Sequence, residues 1–142
     1  MLNGAVIVLG LFAAVNLFFR KPNSLPNQIM ALFLACISLW LIDTFLRITG
    51  IYGENPNLYF LPIYYSLAFG PLIYFYVQSI VNSAFRIKIY HLLHFVPVFI
   101  QAGLYIFLSC SEYTFKRCYW IEIHFPYTYR LEFDGSFISL AI

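Results

Sequence analysis

Charge is the scarcest feature of this chain. Only 10% of its 142 residues are Asp, Glu, Lys or Arg, where a water-soluble domain carries about 25%. Eight basic and six acidic residues leave a net charge of +2, too little to hold nucleic acid electrostatically. Three cysteines, with no C-x-x-C pair, exclude a disulfide scaffold and offer no zinc or redox motif. There is no Gly-rich phosphate loop, no H-E-x-x-H and no nucleophile–base motif. No catalytic residue, metal or cofactor is therefore assigned.

What is present is apolar. Hydrophobic residues make up 62% and aromatics 21%, including 16 Phe and 12 Tyr. Mean hydropathy is +0.80. Such a chain cannot coat itself in water, so its natural solvent is a bilayer. A spanning helix needs about 20 mostly apolar residues. Four runs meet that need approximately: Leu2–Phe19, 28–46, 58–81 and 92–108. A fifth, FISLAI at 137–142, is too short to cross. The expectation is an all-α, polytopic transmembrane bundle of four full spans plus the start of a fifth. Residues 1–142 then form one integral membrane domain, C-terminally incomplete. The first run lacks a basic n-region and a small-x-small cleavage site, and reads as a retained helix.

Prolines punctuate the runs. Pro22 and Pro26 stiffen the first connection. Gly70-Pro71 and Pro97 lie inside the third and fourth runs and predict kinks there. Lys and Arg favour the cytoplasmic side. Arg20, Lys21, Arg86 and Lys88 occupy two compact loops, whereas Arg47, Lys116, Arg117 and Arg130 are spread through longer ones. That asymmetry favours an N-terminus outside, in a multi-pass membrane protein.

Asp43 is the one charge within a span, with Arg47 four residues on in the favourable order for a helical pair. Two readings stand: an interfacial pair reaching to the headgroups, or a carboxylate facing the bundle. His91 and His94 share a helix face, which suits interfacial anchoring; two ligands do not make a metal site. Asn16, Ser38, Gln78 and Gln101 are candidates for hydrogen bonds between helices. Tyr64, Tyr65 and Tyr74 lie deep in the third run and could line a cavity at the Gly70-Pro71 bend.

The stretch 110–136 is amphipathic and aromatic. Tyr119, Ile121, Ile123 and Phe125 alternate with polar residues, as do Tyr127, Tyr129, Leu131 and Phe133. Period two predicts an extended segment, although an interfacial helix from Ser111 fits its first half. It caps the outer face, either within the headgroups or as a lid over a ligand that Trp120 and Tyr127 would touch. Cys110 and Cys118 bracket a short outer segment, and an oxidising compartment would permit their disulfide.

The stretches FGPLIYFYVQS (69–79), FRIKIYHLLHFVPVF (85–99), EYTFKRCYW and PYTYRLEFDGSFISL resemble the N-terminal membrane domain of AraC-type transcriptional regulators, most of all those of Bacteroidetes. The resemblance extends from ALFLACISLWLIDTFLRITG onward. It implies a signal-transducing domain that precedes a cytoplasmic helix-turn-helix domain absent from this chain. Its partners would be the bilayer, a small-molecule or membrane ligand, a second copy in a homodimer, and DNA through the missing domain alone. The competing classes are a transporter or channel component, which needs a polar path, and the sensor domain of a histidine kinase.

Overall fold

The structure is a computed structural model and describes residues 2–20, 24–128 and 134. The alternating residues 129–133 and the apolar run 137–142 lie outside the described residues. Among the described residues there is helix, turn and bend, and no strand. The all-α expectation holds.

Helix α1 is Leu2–Phe19 and α2 is Leu25–Ile48. Ser24 caps α2 in extended conformation, and Pro26 sits in its first turn, where a missing N–H costs nothing. The stiff connection is therefore shorter than the sequence suggested. The two helices form a hairpin, the largest helix–helix contact among the described residues. Ile7 and Ala14 of α1 are buried. Between them, a Cβ added at Gly10 would run into the Ser38 hydroxyl. A small residue thus lets the backbones approach closely, as between membrane helices. Ser38 and Asn16 do not bridge helices. Ser38 Oγ donates to the Leu34 carbonyl at 2.8 Å and Asn16 Nδ2 to that of Phe12 at 2.8 Å, each within its own helix.

Gly50 ends this hairpin. Its φ of +76° lies in the left-handed region, which glycine enters without penalty. The chain reverses into the short α3 (Ile51–Glu54), followed by a 3-10 turn at Pro56–Leu58. Residues 59–65 are then irregular, and Ser66–Ala68 forms another 3-10 turn. Only at Phe69 does α4 (Phe69–Val81) begin.

The third apolar run is therefore not one kinked span. Pro71 would place its ring against the carbonyl four residues back and offers that carbonyl no N–H. Here the chain does not run on as an α-helix through Leu67: a tighter turn precedes α4. Pro97 acts alike. It occupies the first turn of α5 (Val96–Ser109), and the preceding Ile89–Phe95 is 3-10. At both positions the predicted kink is a change of helix type where an α-helix starts.

Helix α6 (Tyr113–Tyr119) continues directly into a π-helical segment, Trp120–Thr128. The expected extended segment is not there. Lys116 and His124 are buried and Trp120 half-buried, a spacing of four. That spacing is slightly long for an α-helix and suits the wider π form, so the inward face stays continuous. Two of these helical stretches, Leu25–Ile48 and Ile89–Ser109, are long and apolar enough to cross a membrane. Gly4–Phe19 and Ser66–Val81 are apolar but shorter.

Among the described residues, two clusters make the core. Tyr52, Tyr59, Phe60, Tyr64, Tyr105 and Leu108 form the first, with Trp40 and Trp120 against it. Ile29, Ala68, Leu72 and Phe75 form the second, joined by Phe33, Phe95 and Val98. Gly10→Val is expected to lower stability by about 1–3 kcal/mol through overpacking, with part recovered by Ser38→Ala. Gly4, with open space around it, should instead gain slightly on Gly4→Ala. Unfolding midpoints in mild detergent give the comparison.

Candidate functional site

The site is built on the last turns of α2. Asp43 is 3% exposed. The Arg47 Nε donates to its Oδ2 at 2.7 Å. Four residues is one helical turn, so this half of the arrangement is local. The second half comes from the Gly50 reversal, which brings Tyr52 back beneath α2. Its phenol donates to Asp43 Oδ1 at 2.6 Å. Asp43 is thus buried, with both oxygens bonded within the chain. Burial and the adjacent carboxylate both raise the Tyr52 hydroxyl well above the usual phenol range, so it stays a donor.

Arg47 is held on its other side by aromatics. Its guanidinium carbon lies 4.8 Å from the Trp120 ring centre and 5.8 Å from that of Tyr52, within cation–π range. Trp120 also stacks on Tyr59, with centroids 4.8 Å apart. One turn further, His124 stacks on Trp120 at 4.8 Å and meets Phe60 edge-on at 4.9 Å. The π-helical segment is thereby fastened to the end of α2 and to the irregular segment.

Phe60 is the hub of these contacts. It is 2% exposed and touches Tyr105, Tyr119, Trp120 and His124 edge-on. Its φ is +60°, a conformation that a bulky side chain enters at a cost of about 1–3 kcal/mol. The surrounding rings hold it there.

The five aromatics singled out from the sequence do not converge on one cavity. Tyr64 stacks on Tyr105 at 6.2 Å in the first cluster, where Trp120 also packs. Tyr65 packs against the second cluster, and its hydroxyl donates to the Pro62 carbonyl at 2.6 Å. Tyr74 and Tyr127 are exposed large side chains. Cys110 and Cys118 are free and exposed, so the expected disulfide is not formed. Glu122 accepts a hydrogen bond from the Cys118 thiol, which raises that thiol above its usual value. The open groove along this face, about 430 Å³, is lined by Tyr113, Thr114, Arg117, Cys118, Ile121 and Glu122.

His91 serves structure. Its Nδ1 accepts the Lys88 backbone N–H at 3.0 Å, and its ring meets Phe75 and Phe85. Among the described residues no three His, Cys, Asp or Glu side chains are grouped to hold a metal ion. The sequence reading missed Tyr52, Phe60 and His124. A Gly after the last turn of α2 was the one local signal for Tyr52; the other two are placed by non-local packing. No protein-family model, curated protein or solved structure matches the chain.

Burial, aided by the Arg47 charge, lowers the His124 pKa from 6.5 to about 4. Between those values the unfolded imidazole binds a proton that the folded one rejects. Stability is then full above pH 6.5 and falls as pH drops toward about 4, by about 3 kcal/mol if this group acts alone. Denaturant unfolding at stepped pH is expected to show that slope, and His124→Phe to remove most of it.

Proposed function

We propose that this chain is the membrane-embedded sensor domain of a one-component transcriptional regulator of the AraC type. It passes an outside or membrane signal to a cytoplasmic helix-turn-helix domain located C-terminal to it. In this reading α1, α2, Ser66–Val81 and Ile89–Ser109 are four crossings of the bacterial inner membrane, and a fifth begins at 137. The N-terminus is outside. Signalling, not catalysis, is the task.

Support comes from three directions. The sequence resembles that regulator group over most of its length. Large apolar side chains are exposed along α1, α4 and α5, including Phe12, Phe19, Val77, Val81, Ile100 and Phe107. Such surfaces suit lipid tails and not water. The observation that carries the signalling reading is the seat of Arg47 between Asp43 and Trp120. It makes the outer end of one spanning helix the anchor of the amphipathic cap. A ligand or lipid that shifts the cap must move or release that helix end, which is the differential contact a two-state transducer needs. In this reading α6 and the π segment face outward, with the latch at the outer headgroup level and α2 leading inward to Arg20.

The test joins sequence and output. Reading the gene beyond position 142 is expected to reveal a helix-turn-helix domain with Lys and Arg on its DNA-facing helix. In the full-length protein, Trp120→Ala is expected to change output from the regulated promoter about fivefold or more, with unchanged membrane abundance. Tyr90→Ala, at an exposed ring, should leave it unchanged. A kinase or permease domain downstream, or a promoter indifferent to Trp120→Ala, would overturn the assignment.

A further inference from the structure

The inward face of α5 carries a stripe in which one residue is out of character. Phe95, just ahead of the helix, and Val98 pack into the second cluster. Tyr105 and Leu108 belong to the first. Gln101 stands between them. It is 5% exposed, and among the described residues neither its Nε2 nor its Oε1 has a hydrogen-bond partner. Buried amides are nearly always paired, so an unpaired one requires a physical explanation.

The opposite wall crosses between the same two clusters. Tyr64 lies in the first, Ala68 in the second, and Ser66, 1% exposed, between them. Helix α5 packs against this Ser66–Ala68 turn. The chain is not α-helical here, and α4 starts at its end, inside the bundle. The positive end of the α4 dipole therefore lies at Ala68, on the second cluster's side of that boundary. Interrupted helices and unwound backbone inside a membrane bundle are tolerated where they are buried in protein or line a polar site.

We propose that this layer, formed by Gln101, the Ser66–Ala68 turn and the start of α4, is a binding site for a neutral small molecule that presents an N–H beside a carbonyl. A carboxamide, lactam or imide has that pattern. The chemistry is set by the two atoms to be satisfied. Oε1 needs a donor and Nε2 an acceptor, and the complement of an amide is another amide. Neither α5 nor the turn contains an ionisable acid or base other than Tyr105. Neither element would give a charged ligand a counterion, so a neutral one is favoured. The ring pair Tyr64 and Tyr105, with planes 9° apart, forms the wall one turn of α5 away. The site depends neither on the regulator reading nor on any residue beyond 142.

The probe is δ-valerolactam, added to the full-length protein in nanodiscs while tryptophan fluorescence tracks thermal unfolding. At concentrations on the order of tens of millimolar, it is expected to raise the midpoint by about 2 °C or more. N-methyl-δ-valerolactam lacks the N–H and should not. Gln101→Leu and Gln101→Met, which remove the unpaired amide, should each be at least as stable as the natural protein and lose the lactam shift. No shift in the natural protein overturns the proposal, whether or not the variants are stabilised. So does an equal shift with the N-methyl compound or in either variant. If both variants are less stable, Gln101 has a structural partner, and the proposal fails on that ground as well.

Discussion

A carboxylate taken out of water near the end of an apolar helix has to be neutralised, and much of this structure depends on how that is done for Asp43. Its two oxygens receive Arg47 and Tyr52. Desolvation of both charges opposes the pair, and the Coulombic gain alone often does not cover it. The remaining stabilisation has to come from further contacts with the charged groups. Tyr52 supplies one on the acid. Trp120 supplies one on the base, as a ring beneath the guanidinium. Removing either would leave a buried charge less well served, which is far costlier than never having buried it.

These demands propagate. Tyr52 reaches back nine residues only because Gly50 adopts a left-handed conformation. Trp120 reaches Arg47 only because α6 and the π-helical segment lie across the end of the bundle. Their seat is Phe60, held at a positive φ amid four rings. The strain at Phe60 and the π form of Trp120–Thr128 belong together. Both are local departures that let one set of aromatic side chains converge on one place, and such departures concentrate where a protein does its work.

The sequence showed those parts of the fold that arise from composition and short spacing. Long apolar runs identified α1, α2 and α5, and i,i+4 spacing identified the Asp43–Arg47 pair. It could not show which way Asp43 faces, because α2 is apolar all round and has no polar side to set the rotation. Pro71 inside a run looks the same whether it kinks a helix or starts one; the turn that precedes α4 decides, and that turn depends on tertiary contacts. The 119–125 alternation fits a strand by period, yet the inward positions of residues 113–128, namely 116, 120 and 124, recur every four residues. A chain packed on one aromatic cluster adopts the wider helix. Gln101 was legible as a polar residue in an apolar run, but its lack of a partner among the described residues is a property of the packed bundle.

The central claim is that Arg47, seated on Asp43, holds the cap formed by α6 and the π-helical segment. Amide hydrogen exchange in an Arg47→Met protein tests it most directly, since methionine keeps the length of the side chain and removes its charge. The account predicts that protection falls across residues 113–128 by at least about tenfold, equivalent to about 1.4 kcal/mol, while amides of α1 exchange as before. Unchanged protection across 113–128, with Arg47 gone, would contradict it.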